Sequence, residues 1–229
     1  FRRDDQRFEA GQAGALPALA PAPPVPGTLR GATPPMPLNL IPVTPGTFFE
    51  GDDFSISAFK VIHRASESLG YLFEEKPRRP FLAEKADALG IPSGPVRREL
   101  VEGRAVRLAD GRQIEPEDVL GEERRGTRFV HVGDCGDTDS LLGVVQDADG
   151  LVIEATYLEE EREMARQYSH LTAKMAGELA RKAGVKKLIL THVSRRYREK
   201  DILAEAQAAF PDVVVARDMD AFTIKRSEG

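Results

Sequence analysis

Four places in this sequence put an imidazole or a carboxylate where a short apolar run stops. Val61-Ile62-His63 closes the first run, and Phe129-Val130-His131-Val132-Gly133-Asp134 carries the second into a carboxylate. Val152-Ile153-Glu154-Ala155-Thr156 ends the third, and Leu188-Ile189-Leu190-Thr191-His192 ends the fourth in a histidine. Open α/β sheets bind their ligands beyond strand ends, so these are the positions to inspect for chemistry. Imidazole and carboxylate are the ligands of hydrolytic zinc sites, and a bridging carboxylate can hold two ions together. One histidine at a strand end is by itself more often structural. His63, Asp134 and His192 on one sheet edge together read as a partial metal site, with ligand types that suit zinc or manganese.

The remaining candidates divide by context. His170 lies in Tyr168-Ser169-His170-Leu171-Thr172, just before a helix, where a neutral structural role is the default. Glu154 is a candidate partner, and a carboxylate on that imidazole would orient it for proton donation. His131 stands inside a strand three residues before Asp134, so alternation points it away, and it is read as structural. Cys135 is either a soft metal ligand or a small packed residue.

Apolar periodicity supplies the elements that must position these groups. Strands are expected at Asp53–Ile62, with Gly70–Phe73 as hairpin partner, then at Thr127–Val132, Leu151–Ile153, Lys187–Leu190, 212–216 and 221–225. Helices are expected at 81–90, 138–147, 158–168, 173–183 and 199–209. The fourth has Thr172 as N-cap and Gly184 past its end, with Ala176, Leu179, Ala180 and Ala183 on one face. Ile91-Pro92-Ser93-Gly94-Pro95 is a loop, and the charged stretch 96–126 holds a short hairpin around Asp110-Gly111. Strands alternating with helices predict an α/β layered fold with a largely buried sheet.

Residues 1–46 contain ten of the 16 prolines. Proline lacks an amide donor and fixes φ, so this segment is read as an extended arm or a disordered tail, with the α/β domain over 47–229. At 229 residues the chain can bury one substantial core, and no run approaches the roughly 20 apolar residues of a membrane helix. Its start, Phe1-Arg2-Arg3-Asp4-Asp5, has neither Met nor a signal-peptide pattern, and the expectation is a piece of a longer gene product. One cysteine excludes a disulfide framework and predicts a cytoplasmic protein. With a net charge of -5, any nucleic-acid contact must rely on local clusters of Lys and Arg.

The motifs resemble, in order from about Phe48 to Ile224, the tRNase Z family of the metallo-β-lactamase superfamily. His63 in Val61-Ile62-His63-Arg64-Ala65-Ser66-Glu67-Ser68-Leu69-Gly70-Tyr71 is similar to that family's third metal-binding motif. Gly133-Asp134, Glu154-Ala155-Thr156-Tyr157, Ser169-His170-Leu171-Thr172 and Leu190-Thr191-His192-Val193-Ser194-Arg195-Arg196-Tyr197 are similar to the motifs that follow it. Ile91-Pro92-Ser93-Gly94-Pro95-Val96 also has a counterpart. The resemblance implies an αββα sandwich, represented mainly by its second half, and a homodimeric endonuclease that removes the 3′ trailer from precursor tRNA with two zinc ions. In that scheme His63 binds one zinc, Asp134 bridges, His192 binds the other, and Glu154 with His170 protonates the leaving oxygen. Arg195 and Arg196 are placed for phosphate contact, or form a solvated basic turn.

Two departures qualify that scheme. The family's His-x-His-x-Asp-His cluster, which supplies the other ligands, has no counterpart, because residues 1–62 contain no histidine. Cys135 also stands where the family has Thr. Full activity is therefore expected of a longer gene product and not of this chain alone. Two further readings stay open: an inactive module for RNA binding or dimerisation, and a phosphodiesterase acting on a small molecule. Glu154 and His170, which chemistry needs and architecture does not, favour the nuclease.

Overall fold

Runs that are apolar on both faces fold as central strands, and runs that alternate fold as half-covered ones. A computed structural model of the chain describes residues 41–64 and 66–226, nearly all within one unit beginning at Pro45. The arm or tail assigned to residues 1–46 lies almost wholly outside the described residues.

Nine strands are described: β1 Gly46–Glu50, β2 Phe54–His63, β3 Ser66–Glu75, β4 Val106–Arg107, β5 Gln113–Ile114, β6 Arg128–His131, β7 Gly150–Glu154, β8 Leu188–Thr191 and β9 Val213–Val215. Seven form one mixed sheet in the order β1-β2-β3-β6-β7-β8-β9. The pairs from β1 to β6 are antiparallel, and those from β6 to β9 are parallel. Because β2 and β6 each run against β3, they point the same way. The carboxy-terminal ends of β2, β6, β7 and β8 therefore reach a common edge.

The helices are α1 Ala83–Ala88, α2 Pro95–Val101, α3 Pro116–Val119, α4 Leu142–Val145, α5 Arg162–Tyr168, α6 Ala173–Lys182 and α7 Glu199–Ala209. Leu151, Ile153, Leu188 and Leu190 on β7 and β8 are fully buried beneath Leu179, Ala180, Ile202 and Ala206 of α6 and α7. Each large aliphatic group so covered contributes about 1.5–3 kcal/mol. A second cluster, Ala86, Ile91, Leu100, Val106, Ile114 and Val119, holds the region of α1 to α3 and the β4–β5 hairpin. Thr172 caps α6 by accepting from the Met175 amide, and Gly184 takes φ +69° just past its end, as the sequence predicts.

Several expectations are corrected. No strand forms over 221–225; Phe222 lies under Lys187 and Ile224 is placed against Gly150, so apolar alternation marks a covered side without a ladder. The helix expected at 138–147 is a 3-10 turn at Asp139–Leu141 followed by the four-residue α4, ending where Gln146 turns extended. The charged stretch 96–126 contains α2 and α3 besides its hairpin. β1 was not anticipated: it starts at the boundary of the proline-rich segment, and a bulge between Thr47 and Phe49 breaks its alternation.

Candidate metal centre

Every group singled out for chemistry sits at the shared edge or in the loops above it. His63 is the last residue of β2, Glu154 the last of β7, and His192 follows β8 directly. Asp134 lies three residues past β6, and His170 lies in the connection between α5 and α6. The His170 ring centroid is 5.0 Å from that of His63 and 5.3 Å from that of His192.

Glu154 organises the site. It is wholly buried, and four groups reach its two oxygens. The Cys135 amide donates to Oε1 at 2.7 Å, and His170 Nδ1 lies 2.8 Å from the same oxygen. The Thr156 hydroxyl donates to Oε2 at 2.6 Å, and the Leu171 amide donates at 3.1 Å. A buried carboxylate is tolerated only when so many donors replace water. Since a carboxylate accepts, Nδ1 of His170 carries the proton, and Nε2 turns toward the other histidines.

His63 is oriented similarly. Its Nδ1 lies 2.8 Å from the Ser169 carbonyl oxygen, which only accepts, so Nε2 keeps the lone pair a metal needs. The next residue, Arg64, donates from Nε to the Tyr168 carbonyl at 3.2 Å. The Gly136 amide donates to the Ile62 carbonyl at 2.7 Å, closing the loop of Asp134 onto the end of β2. Thr156 Oγ1 also lies 3.0 Å from the His192 carbonyl, so its single proton, given mainly to Oε2, is shared in part with the backbone of a candidate ligand.

Among the described residues, ligand atoms lying mutually within 4.8 Å form two sets: His63, Glu154 and His170, and Asp134, His170 and His192. The first is a poor cation site, because the Glu154 oxygens are already engaged by four donors. The second fits. Asp134 Oδ2 and His192 Nε2 are 3.6 Å apart, too far for a hydrogen bond and a suitable span for two ligands on one ion at bond lengths near 2.0–2.2 Å. Their side chains are 41% and 49% exposed, which leaves the site open to a substrate. His63 and His192 therefore fall in different sets joined by His170, and they do not share one cluster.

Cys135 resolves as a packed residue. It is fully buried in the main core, and burial, then the charges of Glu154, Asp134 and Asp137, push its thiol far above the ordinary range. His131 is exposed on the opposite side from Val130 and Val132. Of the basic pair, Arg196 is held by Glu161 at 3.3 Å and by the Met164 sulfur at 3.1 Å, while Arg195 is exposed. The roles of Thr156 and Ser169 escaped the sequence reading. Thr156 stands two residues from Glu154 in extended chain, a spacing that puts both on one side.

A family described as "Beta-lactamase superfamily domain" matches residues 96–193. The chain is 45% identical over 190 residues to the Ribonuclease Z of Bradyrhizobium sp. (strain ORS 278), covering 83% of this chain and 63% of that protein. It is 44% identical over 171 residues to the Ribonuclease Z of Gemmatimonas aurantiaca (strain DSM 14586 / JCM 11422 / NBRC 100505 / T-27), covering 73% of this chain and 54% of that protein. The chain thus spans less than two thirds of the length of these relatives. A crystal structure of the metallo-beta-lactamase fold protein YhfI from Bacillus subtilis shares the fold, with a TM-score of 0.50 at 18% identity, over 77% of this chain and 52% of that one.

Proposed function

Because the chain belongs to the ribonuclease Z family of the metallo-β-lactamase superfamily, we propose that it contributes one half of the active site of a zinc-dependent endoribonuclease that removes the 3′ trailer from precursor tRNA. The observation that carries this reading is the pairing of an open Asp134–His192 ligand set with the Glu154-anchored imidazole of His170.

Asp134 and His192 would hold one ion, and His63 through Nε2 would help to hold a second. Bound zinc would lower the pKa of a water molecule and neutralise charge developing on the phosphate. Glu154 keeps the His170 ring aligned with its Nε2 facing outward, where a proton can be delivered to the leaving ribose oxygen. Thr156 and Ser169 position His192 and His63 through their carbonyl contacts. The chain's other histidine, His131, is exposed and belongs to neither candidate ligand set of the described residues. The reading includes a homodimer and a cytoplasmic setting; no helix among the described residues is long and apolar enough to cross a membrane.

The test is cleavage of a 3′-extended tRNA by the longest available gene product, alongside its zinc content. His63→Ala and His192→Ala are expected to lower bound zinc and abolish cleavage, whereas His170→Ala is expected to keep zinc and lose cleavage. Retained cleavage in the first two would refute their assignment as ligands. Zinc loss in the third would make His170 a ligand and remove it as the proton donor.

A further inference from the structure

Tyr168 ends α5 with 43% of its surface exposed, although an aromatic ring of its size normally finds cover. It lies two residues before His170 and one before Ser169, whose carbonyl orients His63. The guanidinium of Arg64, the residue after His63, sits 5.9 Å from the Tyr168 ring centroid, and its Nε donates to the Tyr168 carbonyl. The two connections that carry His63 and His170 thus meet in one exposed aromatic–arginine pair at the rim of the metal centre.

Both halves of the pair are held in place. Arg64 has φ +50° and Ser169 φ +58°, left-handed conformations that non-glycine residues avoid unless their surroundings impose them. The contacts that impose them are the Arg64 and His63 bonds to successive carbonyls at Tyr168 and Ser169. Away from any binding site, an exposed tyrosine with a cation against it would be a poor use of apolar surface. At the mouth of a phosphodiester-cleaving site it matches what unpaired nucleotides require: a flat π face for the base and a positive charge for the adjoining phosphate. Arg195, three residues after His192 in the chain, is also exposed.

We infer that Tyr168 and Arg64 form a stacking platform for an unpaired nucleotide base next to the cleaved phosphodiester. The inference rests on the endoribonuclease reading and adds the contact that would select a single-stranded end. Stacking tolerates any base, so the platform recognises unpaired strand and not a particular sequence.

The experiment uses a short single-stranded RNA carrying one 2-aminopurine, titrated into the chain and, in parallel, into the longest gene product. Base stacking lost by truncation weakens binding by roughly tenfold to a hundredfold. Tyr168→Ala is expected to show that loss and to abolish the fluorescence quenching, while Tyr168→Phe stays within about twofold of the parent. Arg64→Ala is expected to weaken binding more at low than at high salt, as a phosphate contact does. Equal affinity and equal quenching for Tyr168→Ala and the parent would overturn the platform, as would a parent that binds no single strand. Tyr168-dependent binding without cleavage of any RNA would leave the platform standing and refute the endoribonuclease reading instead. A fully paired duplex bound as tightly as the single strand would also overturn the inference.

Discussion

Glu154→Gln keeps the shape of the side chain and turns one of its two acceptor oxygens into a donor. In the parent, Oε1 accepts from the Cys135 amide and His170 Nδ1, and Oε2 from the Thr156 hydroxyl and the Leu171 amide. Whichever way the new amide turns, its NH2 faces one backbone N–H that cannot change sign. The less damaging orientation puts NH2 at the Oε2 side, where the Thr156 hydroxyl can rotate and the Leu171 contact is the longest at 3.1 Å. An orphaned buried amide costs about 1–3 kcal/mol, and loss of charge assistance in the surviving bonds adds about 1 kcal/mol. The expected destabilisation is therefore about 2–4 kcal/mol. For a domain of this size each kcal/mol moves the melting temperature by about 2–4 °C, so Tm should fall by about 4–16 °C. Calorimetry on the metal-stripped protein reads this without any contribution from zinc. A Tm within about 2 °C of the parent would refute the four-donor account of Glu154.

Three other perturbations test neighbouring parts of the structure. A Cβ at Gly136 would lie 2.9 Å from the Cα and Cβ of Ser169, so Gly136→Ala should lower stability in urea by about 1–3 kcal/mol; an unchanged midpoint would refute that close approach. The Cys135 thiol, buried and held protonated, should react with a disulfide reagent only as fast as the chain opens, and immediate reaction of the native protein would contradict its placement. The Thr127 amide holds the Glu75 carboxyl below its ordinary value near 4.5, so its contribution is present at neutral pH and is lost as pH falls through that lowered folded value. The stability gap between the parent and Glu75→Gln should close on acidification, and a gap constant from pH 7 to pH 2 would refute the bond.

Much of the fold was legible because burial leaves a periodic trace. Leu188-Ile189-Leu190 is apolar on both faces and became a central parallel strand, and the helix expected at 199–209 formed over those residues. Hydrogen-bonded pairing leaves a weaker trace. Phe222 and Ile224 alternate as a strand would, yet among the described residues no neighbouring strand pairs with them. The site was legible as residue types at strand ends, since His63 and Glu154 do end β2 and β7 and His192 directly follows β8. Its wiring was not. No spacing announces that the Ser169 carbonyl orients His63, because that contact joins residues 106 apart through a backbone atom every residue possesses.

Backbone strain adds the last link between this wiring and function. Among the described residues, five non-glycine positions have positive φ, and three of them, Arg64, Ser169 and His192, adjoin or are the site histidines. Left-handed backbone costs an L-residue roughly 1–2 kcal/mol, so the site carries several kcal/mol that the fold must offset. The offset is visible at each position: Arg64 is tied to the Tyr168 carbonyl, the Ser169 carbonyl accepts from His63, and the His192 carbonyl lies against the Thr156 hydroxyl. Relaxing any of the three would turn an imidazole or its support away from Asp134. Glycine meets the same backbone demand without strain at Gly184 past α6, where φ is +69°, although Asp147 and Met219 also keep side chains at positive φ away from the site. Keeping histidine at position 192 despite φ +53° makes sense if the side chain is needed more than the relaxed backbone, which is the condition a metal ligand satisfies.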